Sequence, residues 1–304
     1  MELRQLHYFV TVAKLEHVTQ AAETLRVAQS AVSRQIHQLE EELGVQLFVP
    51  KGRNLQLTPV GKLFLTRAEA ILNNIDRSVL EVQEFLNPES GEIRIGFPHS
   101  LGIHMLPCVI AEYLQMHPQV KFRLKQGTYR VLMEDLIEGK IDLAFISPFP
   151  ENHEEVEGEV LLTEQLKVIL PPSHSLSAAP SISLEQLADE PFVMFSEYYS
   201  LRTIVMEACN EAGFTPRIGF EGEETDTIRG LVAAGLGVSL LPEMALVETS
   251  PMMPAVIPLH DRQVLRTVGL IRRRGERLPL VAQAFRDYLT VYFANAAEQQ
   301  AQEQ

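Results

Sequence analysis

Cysteine is scarce in this chain of 304 residues, with Cys108 and Cys209 standing 101 positions apart among helix-forming residues. Reduced, buried thiols are what such isolated positions imply. No apolar run approaches the roughly 18 residues that span a bilayer. Met1-Glu2-Leu3-Arg4 opens an amphipathic pattern at once, without the basic and apolar regions of a leader. Cytoplasmic residence and no membrane partner are therefore the expectation. Positive charge is short as well: 26 Lys and Arg against 40 Asp and Glu leave a net charge of −14, which weighs against nucleic acid. The deficit is uneven, because through Arg67 there are 8 basic against 6 acidic residues, and 18 against 34 in the remainder. Catalytic patterns are missing too. No phosphate-binding P-loop, nucleophile elbow or spaced metal set occurs, and Gly230, Gly235 and Gly237 lack the dinucleotide spacing. His99 and His104 lie five apart with no further Cys or His nearby, so a metal is not expected. The sequence thus predicts no enzyme, no catalytic residue and no cofactor.

What is present starts at Thr19–Leu39, which reads as two short helices joined by a turn. Thr19 is a plausible N-cap for a helix carrying Ala21, Ala22 and Leu25, and Val27 and Ala28 fill the turn. In the second helix Val32, Ile36 and Leu39 recur at spacings of four and three and so share a buried face. The opposite face shows Gln29, Ser30, Ser33, Arg34 and His37, the composition of a helix that enters the major groove. Leu6, Phe9, Val10 and Ala13 form the stripe of a covering helix. Glu40-Glu41-Glu42 is expected to face solvent. Gly44 looks like the residue that closes the second helix. Leu47-Phe48 and Leu55-Gln56-Leu57 read as two strands around Pro50-Lys51-Gly52-Arg53, making a wing. Arg34, Lys51, Arg53 and helix N-termini then carry DNA contact.

These residues resemble a known family. Leu6, Phe9, Val12, Ala13, Ala21, Ala22, Leu25, the run Gln29-Ser30-Ala31-Val32-Ser33-Arg34-Gln35-Ile36, Leu39-Glu40, Leu43-Gly44, Leu47-Phe48 and Leu57-Thr58-Pro59-Val60-Gly61 look like the amino-terminal domain of LysR-type transcriptional regulators. Gly96-Phe97-Pro98, Glu221-Gly222-Glu223 and Gly230 through Val238 are similar to the subgroup that activates glutamate synthase operons. Pro50 stands where the family carries an arginine, which leaves Lys51 or Arg53 to take over its phosphate contact. The paired cysteines that serve one branch of the family as a redox switch lie close together in sequence, unlike Cys108 and Cys209.

Thr58-Pro59 is a strong helix start. Phe64, Ala68, Ile71, Ile75, Val79, Val82 and Leu86 then keep one stripe until Asn87-Pro88. A second copy is the economical cover for it, with packing on the same chain as the alternative. From Gly91 strands alternate with helices: Ile93–Phe97, a helix from about Ile103 to Met116, Val120–Leu124, a helix around Val131–Glu138, and Ile141–Ile146. Gln165–Leu170, Phe192–Phe195, helices at Leu201–Ala212 and Thr225–Ala234, Val238–Leu241, Val268–Ile271 and a last helix Leu280–Phe293 follow. This βαβ grammar predicts parallel strands with helices on both faces, and residues 296–304 read as a frayed tail.

Ligands of open α/β sheets lie beyond the carboxyl ends of the strands. That rule selects Pro98, His99 and Ser100, Gly127 and Thr128, Ser147 and Pro148, Ser196, and the turn from Glu223 to Thr225, with Arg202 as a charged clamp or a solvent-facing side chain. Ser100 either caps its own helix or holds a carboxylate, and the resemblance favours binding.

The fold class expected is α/β: a winged helix-turn-helix domain (residues 1–58), a linker and dimerisation helix (59–88), and a two-lobed effector domain (91–304) of the kind that the family shares with periplasmic binding proteins. Lobe I covers about 91–160 and 268–295, and lobe II about 161–267. The function that follows is an effector-controlled regulator, dimeric or tetrameric, acting on double-stranded operator DNA. Activation, effector-dependent DNA bending and contact with RNA polymerase rest on the resemblance alone. A small carboxylic acid or amino acid is the expected effector. Two rivals are weaker: a cytosolic solute-binding module leaves residues 1–88 without a purpose, and an enzyme with an appended helical domain lacks catalytic residues.

Overall fold

The computed structural model describes residues 1–52, 54–86, 90–102, 104–246 and 253–302. The chain forms two compact units. One comprises Met1–Gln83 with Glu138–Lys140, and the other Glu84–Ile137 with the chain from Ile141 onward.

The first unit strings together α1 (Leu3–Leu15), α2 (Val18–Leu25), α3 (Gln29–Leu43), β1 (Phe48–Lys51), β2 (Asn54–Leu57) and α4 (Pro59–Leu86). Its core gathers Leu6, Phe9, Ala21, Val32, Leu39, Leu47 and Ala68. Phe9 holds the centre, with Phe48 and Phe64 at ring-centroid distances of 5.4 and 5.1 Å. Ala21 and Ala22 are buried, so α2 meets α3 on small side chains. Helix α2 begins two residues earlier than the Thr19 cap implies: His17 is the N-cap, its ring nitrogen accepting the Gln20 N–H at 3.4 Å. Gly44 ends α3 with φ of 68°, the left-handed conformation that glycine adopts without strain. Strands β1 and β2 pair antiparallel from Phe48↔Leu57 to Lys51↔Asn54. The Thr58 hydroxyl accepts the Gly61 N–H at 2.9 Å, the capping bond that starts α4. A Cβ at Gly61 would lie 2.1 Å from the Leu47 carbonyl oxygen, so only glycine lets the helix leave the wing so closely. Asn87 and Pro88, read as the end of that helix, lie outside the described residues.

The second unit runs β3 (Gly91–Phe97), α5 (His99–Gly102), α6 (Met105–Met116), β4 (Val120–Gln126), α7 (Tyr129–Ile137), β5 (Leu143–Ile146), β6 (Val156–Leu170), β7 (Pro191–Phe195), α8 (Ser200–Glu211), β8 (Arg217–Gly222), α9 (Thr225–Ala233), β9 (Ser239–Pro242), β10 (Ala255–Ile257), β11 (Leu265–Arg273) and α10 (Leu280–Gln302). Strand order in the main sheet is β10-β6-β11-β5-β3-β4, with β9 also on β6, and β7-β8 form a separate pair. The all-parallel expectation is corrected. Strands β3, β4 and β5 run parallel, as do β7 and β8, but β11 and β6 are antiparallel to their neighbours. The βαβ units account for the parallel part. The antiparallel part comes from the two long strands on which the chain crosses between lobes.

One lobe packs Ile93, Val109, Tyr113, Phe145 and Phe285 on one sheet face, and Leu132, Leu136, Ile146 and Ile271 on the other. The second lobe has its own core around Val168, Phe192, Phe195, Val205, Ile228 and Leu240. Strand β6 reaches back to Val156 and β11 back to Leu265, so both expected lobe boundaries fall inside strands. Strand β8, with two glycines in six residues, offers only Ile218 and Phe220 as an apolar alternation, too short to announce it. The tail correction is that α10 continues through Gln302. Ile103, read as a helix start, lies outside the described residues, and α6 begins at Met105. Buried Arg94 ties β3 to the residue before β5: its Nε and Nη2 donate to the two Asp142 carboxylate oxygens at 3.1 and 2.6 Å.

Candidate functional site

Two sites stand in the two units. On α3 the apolar residues Val32, Ile36 and Leu39 face the core, which leaves Gln29, Ser30, Arg34 and His37 exposed and Ser33 half-buried. Gln29 Nε2 donates to the Ser33 hydroxyl at 3.4 Å, and His37 lies 3.3 Å from Glu41. Lys51 is exposed on β1 beside exposed Pro50, while Arg53 lies outside the described residues. Arg4 and Tyr8 of α1, unassigned from the sequence, share a groove with Ser30 and Arg34. The solvent-facing expectation for the acidic run is corrected at Glu40, which is half-buried and accepts backbone N–H groups at the start of the wing. Glu41 and Glu42 are exposed.

In the second unit, the loops that follow β3, β4, β5 and β8 converge. Pro98, His99, Ser100, Gly127, Thr128 and Ser147, together with Glu223 and Thr225, line one cavity of about 30 Å³. Tyr129, Ser200 and Thr225, which begin α7, α8 and α9, all stand on its wall. Each helix start carries partial positive charge from its first-turn N–H groups. Two bonds close the lobes over the cavity: the Ser200 hydroxyl donates to the Ser147 carbonyl at 2.7 Å, and the Thr225 N–H to His99 Nδ1 at 3.4 Å. The Ser147 and Thr225 hydroxyls are buried and have no hydrogen-bond partner. Such groups cost stability unless something satisfies them.

Three expected residues do not reach the cavity. The Arg202 guanidinium is spent on the Phe195 carbonyl and the Glu221 carboxylate, at 2.8 and 2.6 Å. The Ser196 N–H and hydroxyl both go to the Gly222 carbonyl at the end of the β7–β8 pair. Pro148 follows Ser147 but is not on the wall.

The main residue that sequence reasoning missed is Arg266. It lines the cavity, donates from Nη1 to the Ser100 hydroxyl at 2.8 Å, and donates from Nε to Glu164 at 2.7 Å. Nη2 lies 2.5 Å from the same Glu164 oxygen without making a hydrogen bond of its own. The buried charge is thus compensated by Glu164. Burial pushes the Arg266 pKa down and Glu164 opposes that shift. Tyr199, also on the wall, has its phenol pushed up by burial and by Glu223 and Glu224. Ser100 is therefore more than a helix cap: its hydroxyl accepts the arginine and keeps its own O–H to donate. The available signal was an arginine inside an apolar strand; starting that strand at Val268 hid it.

Among the described residues no cluster could hold a metal, and no helix is long and apolar enough to cross a membrane.

An exposed polar helix face beside a wing, joined in one chain to a two-lobed domain with a donor-lined cavity, defines an effector-responsive DNA-binding regulator. Residues 3–62 match the bacterial regulatory helix-turn-helix protein, lysR family, and residues 86–294 match the LysR substrate binding domain. The chain belongs to the LysR family of transcriptional regulators. It is 43% identical over 300 residues to the transcriptional dual regulator GltC of Bacillus subtilis (strain 168), covering 99% of this chain and 100% of that one. It is 34% identical to a RuBisCO operon transcriptional regulator of Allochromatium vinosum, covering 95% of each. Among solved structures, full-length CbnR complexed with its target DNA superposes with a TM-score of 0.78 at 26% identity, over 96% of this chain and 100% of that one. These relatives are regulators, which removes both the enzyme and the stand-alone solute-binding readings.

Proposed function

We propose that this regulator responds to a small carboxylic acid or amino acid held in the cavity between its lobes. The observation that carries the reading is the pair of buried, unpartnered hydroxyls of Ser147 and Thr225, on a wall built from three helix N-termini. Donors in excess of acceptors, in a desolvated site, suit an anion. At about 30 Å³ the cavity holds no more than a few waters, so the lobes part on β6 and β11 to admit the effector. The resemblance to the subgroup that activates glutamate synthase operons directs the search to nitrogen and glutamate metabolism.

On the DNA side, Gln29, Ser30, Ser33, Arg34 and His37 read base edges, and Lys51, with Arg53, positions the wing on phosphate. The chain works in the cytoplasm as a dimer or tetramer, joined along α4, whose Ile71, Val79 and Val82 are 38%, 53% and 62% exposed within one chain. Activation of transcription through RNA polymerase is proposed on the family resemblance alone. Calorimetry of the full-length protein with 2-oxo acids and acidic amino acids tests the effector class: heat from at least one is expected, and silence from all, with response to an unrelated ligand, overturns it. Footprinting upstream of its own gene, with and without the binding acid, tests the regulatory half; an unchanged footprint would remove the response.

A further inference from the structure

Arg266 and Glu164 face each other as register partners across the antiparallel pairing of β11 with β6. The position is particular. Strand β6 pairs with β11 as far as Gln165, and from Leu166 onward with β9 and then β10 of the second lobe. Glu164 therefore stands where β6 passes from one lobe to the other. The Arg266 and Glu164 side chains are 1% and 7% exposed. The second Glu164 oxygen accepts the Met244 N–H at 3.1 Å. A continuous path of polar contacts thus runs from Ser100 on the cavity wall to Arg266, Glu164 and Met244, and only its first two members face the cavity.

Removing two charges from water is repaid only by good geometry and further hydrogen bonds, so an ion pair is a poor choice for holding two strands together. This pair does something an apolar pair cannot: it keeps a full positive charge against the cavity wall. The cost is a resident carboxylate that competes with any incoming anion for the same guanidinium.

We propose that Arg266 anchors the effector's carboxylate and Glu164 is its built-in competitor, so that binding draws Arg266 off Glu164 and loosens the Glu164–Met244 link at the crossing between lobes. The inference rests on the cavity being a carboxylate site. Ligand identity is read by donors, whereas the response is read by what Glu164 lets go.

The test uses the full-length protein and four probes: 2-oxoglutarate, oxaloacetate, L-glutamate and L-aspartate. For the probe that the parent binds, Glu164→Gln removes the competitor and should tighten binding by about tenfold or more, whereas Arg266→Gln should weaken it by at least as much. A pair that is only structural would make both variants bind worse, so a Glu164→Gln protein that binds no tighter than the parent overturns the proposal. If that variant does not fold, Glu164→Asp, which withdraws the charge by one methylene, should still bind severalfold tighter; equal or weaker binding overturns the proposal in the same way. Hydrogen exchange in the peptide containing Met244 should accelerate when the parent binds the probe, and no change would remove the relay to the crossing. If the parent binds none of the four, the carboxylate reading itself fails and the competitor role falls with it; tight parent binding without the opposed signs sinks this inference alone.

Discussion

Glu40, near the end of α3, reaches past the chain reversal and accepts the N–H of Leu47 at 2.7 Å and that of Phe48 at 3.2 Å. One carboxylate thereby fixes where the wing leaves α3, with Leu47 fully buried beneath it. Glu40→Ala leaves these two N–H groups without an acceptor and should cost about 1–3 kcal/mol. Faster hydrogen exchange at Leu47 and Phe48, and weaker DNA binding with Arg34 untouched, are the expected readouts. Unchanged exchange would show that water replaces the carboxylate without loss.

Glu40 also shows where the sequence was legible and where it was not. Periodicity at Val32, Ile36 and Leu39 placed the helix and its outward face, and Thr58, Pro59 and Gly44 marked element ends, because caps and left-handed turns have few chemical solutions. The strand-end rule gathered Pro98, Ser100, Thr128, Ser147 and Thr225 into one cavity although they are scattered over 128 positions. It failed at Arg202, whose side chain had a nearer carboxylate in Glu221. It failed differently at Arg266, because a partner 102 residues away in Glu164 is a product of strand register and leaves no local trace. Glu40 looked like one of three solvated acids for the same reason: its acceptors' partners lie beyond a turn.

Arg34 and Lys51, proposed above as DNA contacts, should separate by salt dependence. Arg34 is exposed on the polar face of α3, so Arg34→Ala should weaken operator binding by roughly 1–3 kcal/mol and relax preference at one base position. Lys51→Ala should weaken all sequences alike and reduce the slope of log K against log salt by about 0.9. Titrations at several salt concentrations on operator and random DNA distinguish them. If both variants lose only the uniform component, α3 is not the reading element.

The two thiols should behave oppositely. Cys108 is exposed with its Sγ 3.8 Å from His104 Nδ1, a correction to the expectation that both are buried, whereas Cys209 is fully buried. Burial pushes the Cys209 thiol up to about 12, partly opposed by Arg262. A thiol reagent should therefore label one cysteine per native chain and two after denaturation. The raised pKa means that the neutral thiol is favoured by folding. That stabilisation is complete below the ordinary thiol pKa of 9.0 and is lost as pH rises towards 12. Cys209→Ala should correspondingly flatten the alkaline limb of the stability profile; two labels on the native parent would contradict the burial.

Self-association has its cleanest probe at Val79, which is 53% exposed within one chain. A charge placed at Ala68 would disturb packing inside the same unit, since Ala68 is buried in its core. At Val79 the two explanations of the α4 stripe part company. If the stripe serves only its own chain, Val79→Glu is an ordinary surface change and should alter stability by no more than about 0.5 kcal/mol, with unchanged sedimentation. If a second copy covers it, the same substitution buries a charge in an apolar seam and should split the assembly. Operator affinity should then fall with it, because two half-sites about one helical turn apart need two linked reading heads. Sedimentation velocity and DNA retardation on the same preparation decide between them: a variant that sediments and binds like the parent removes α4 from the interface, whatever holds the copies together.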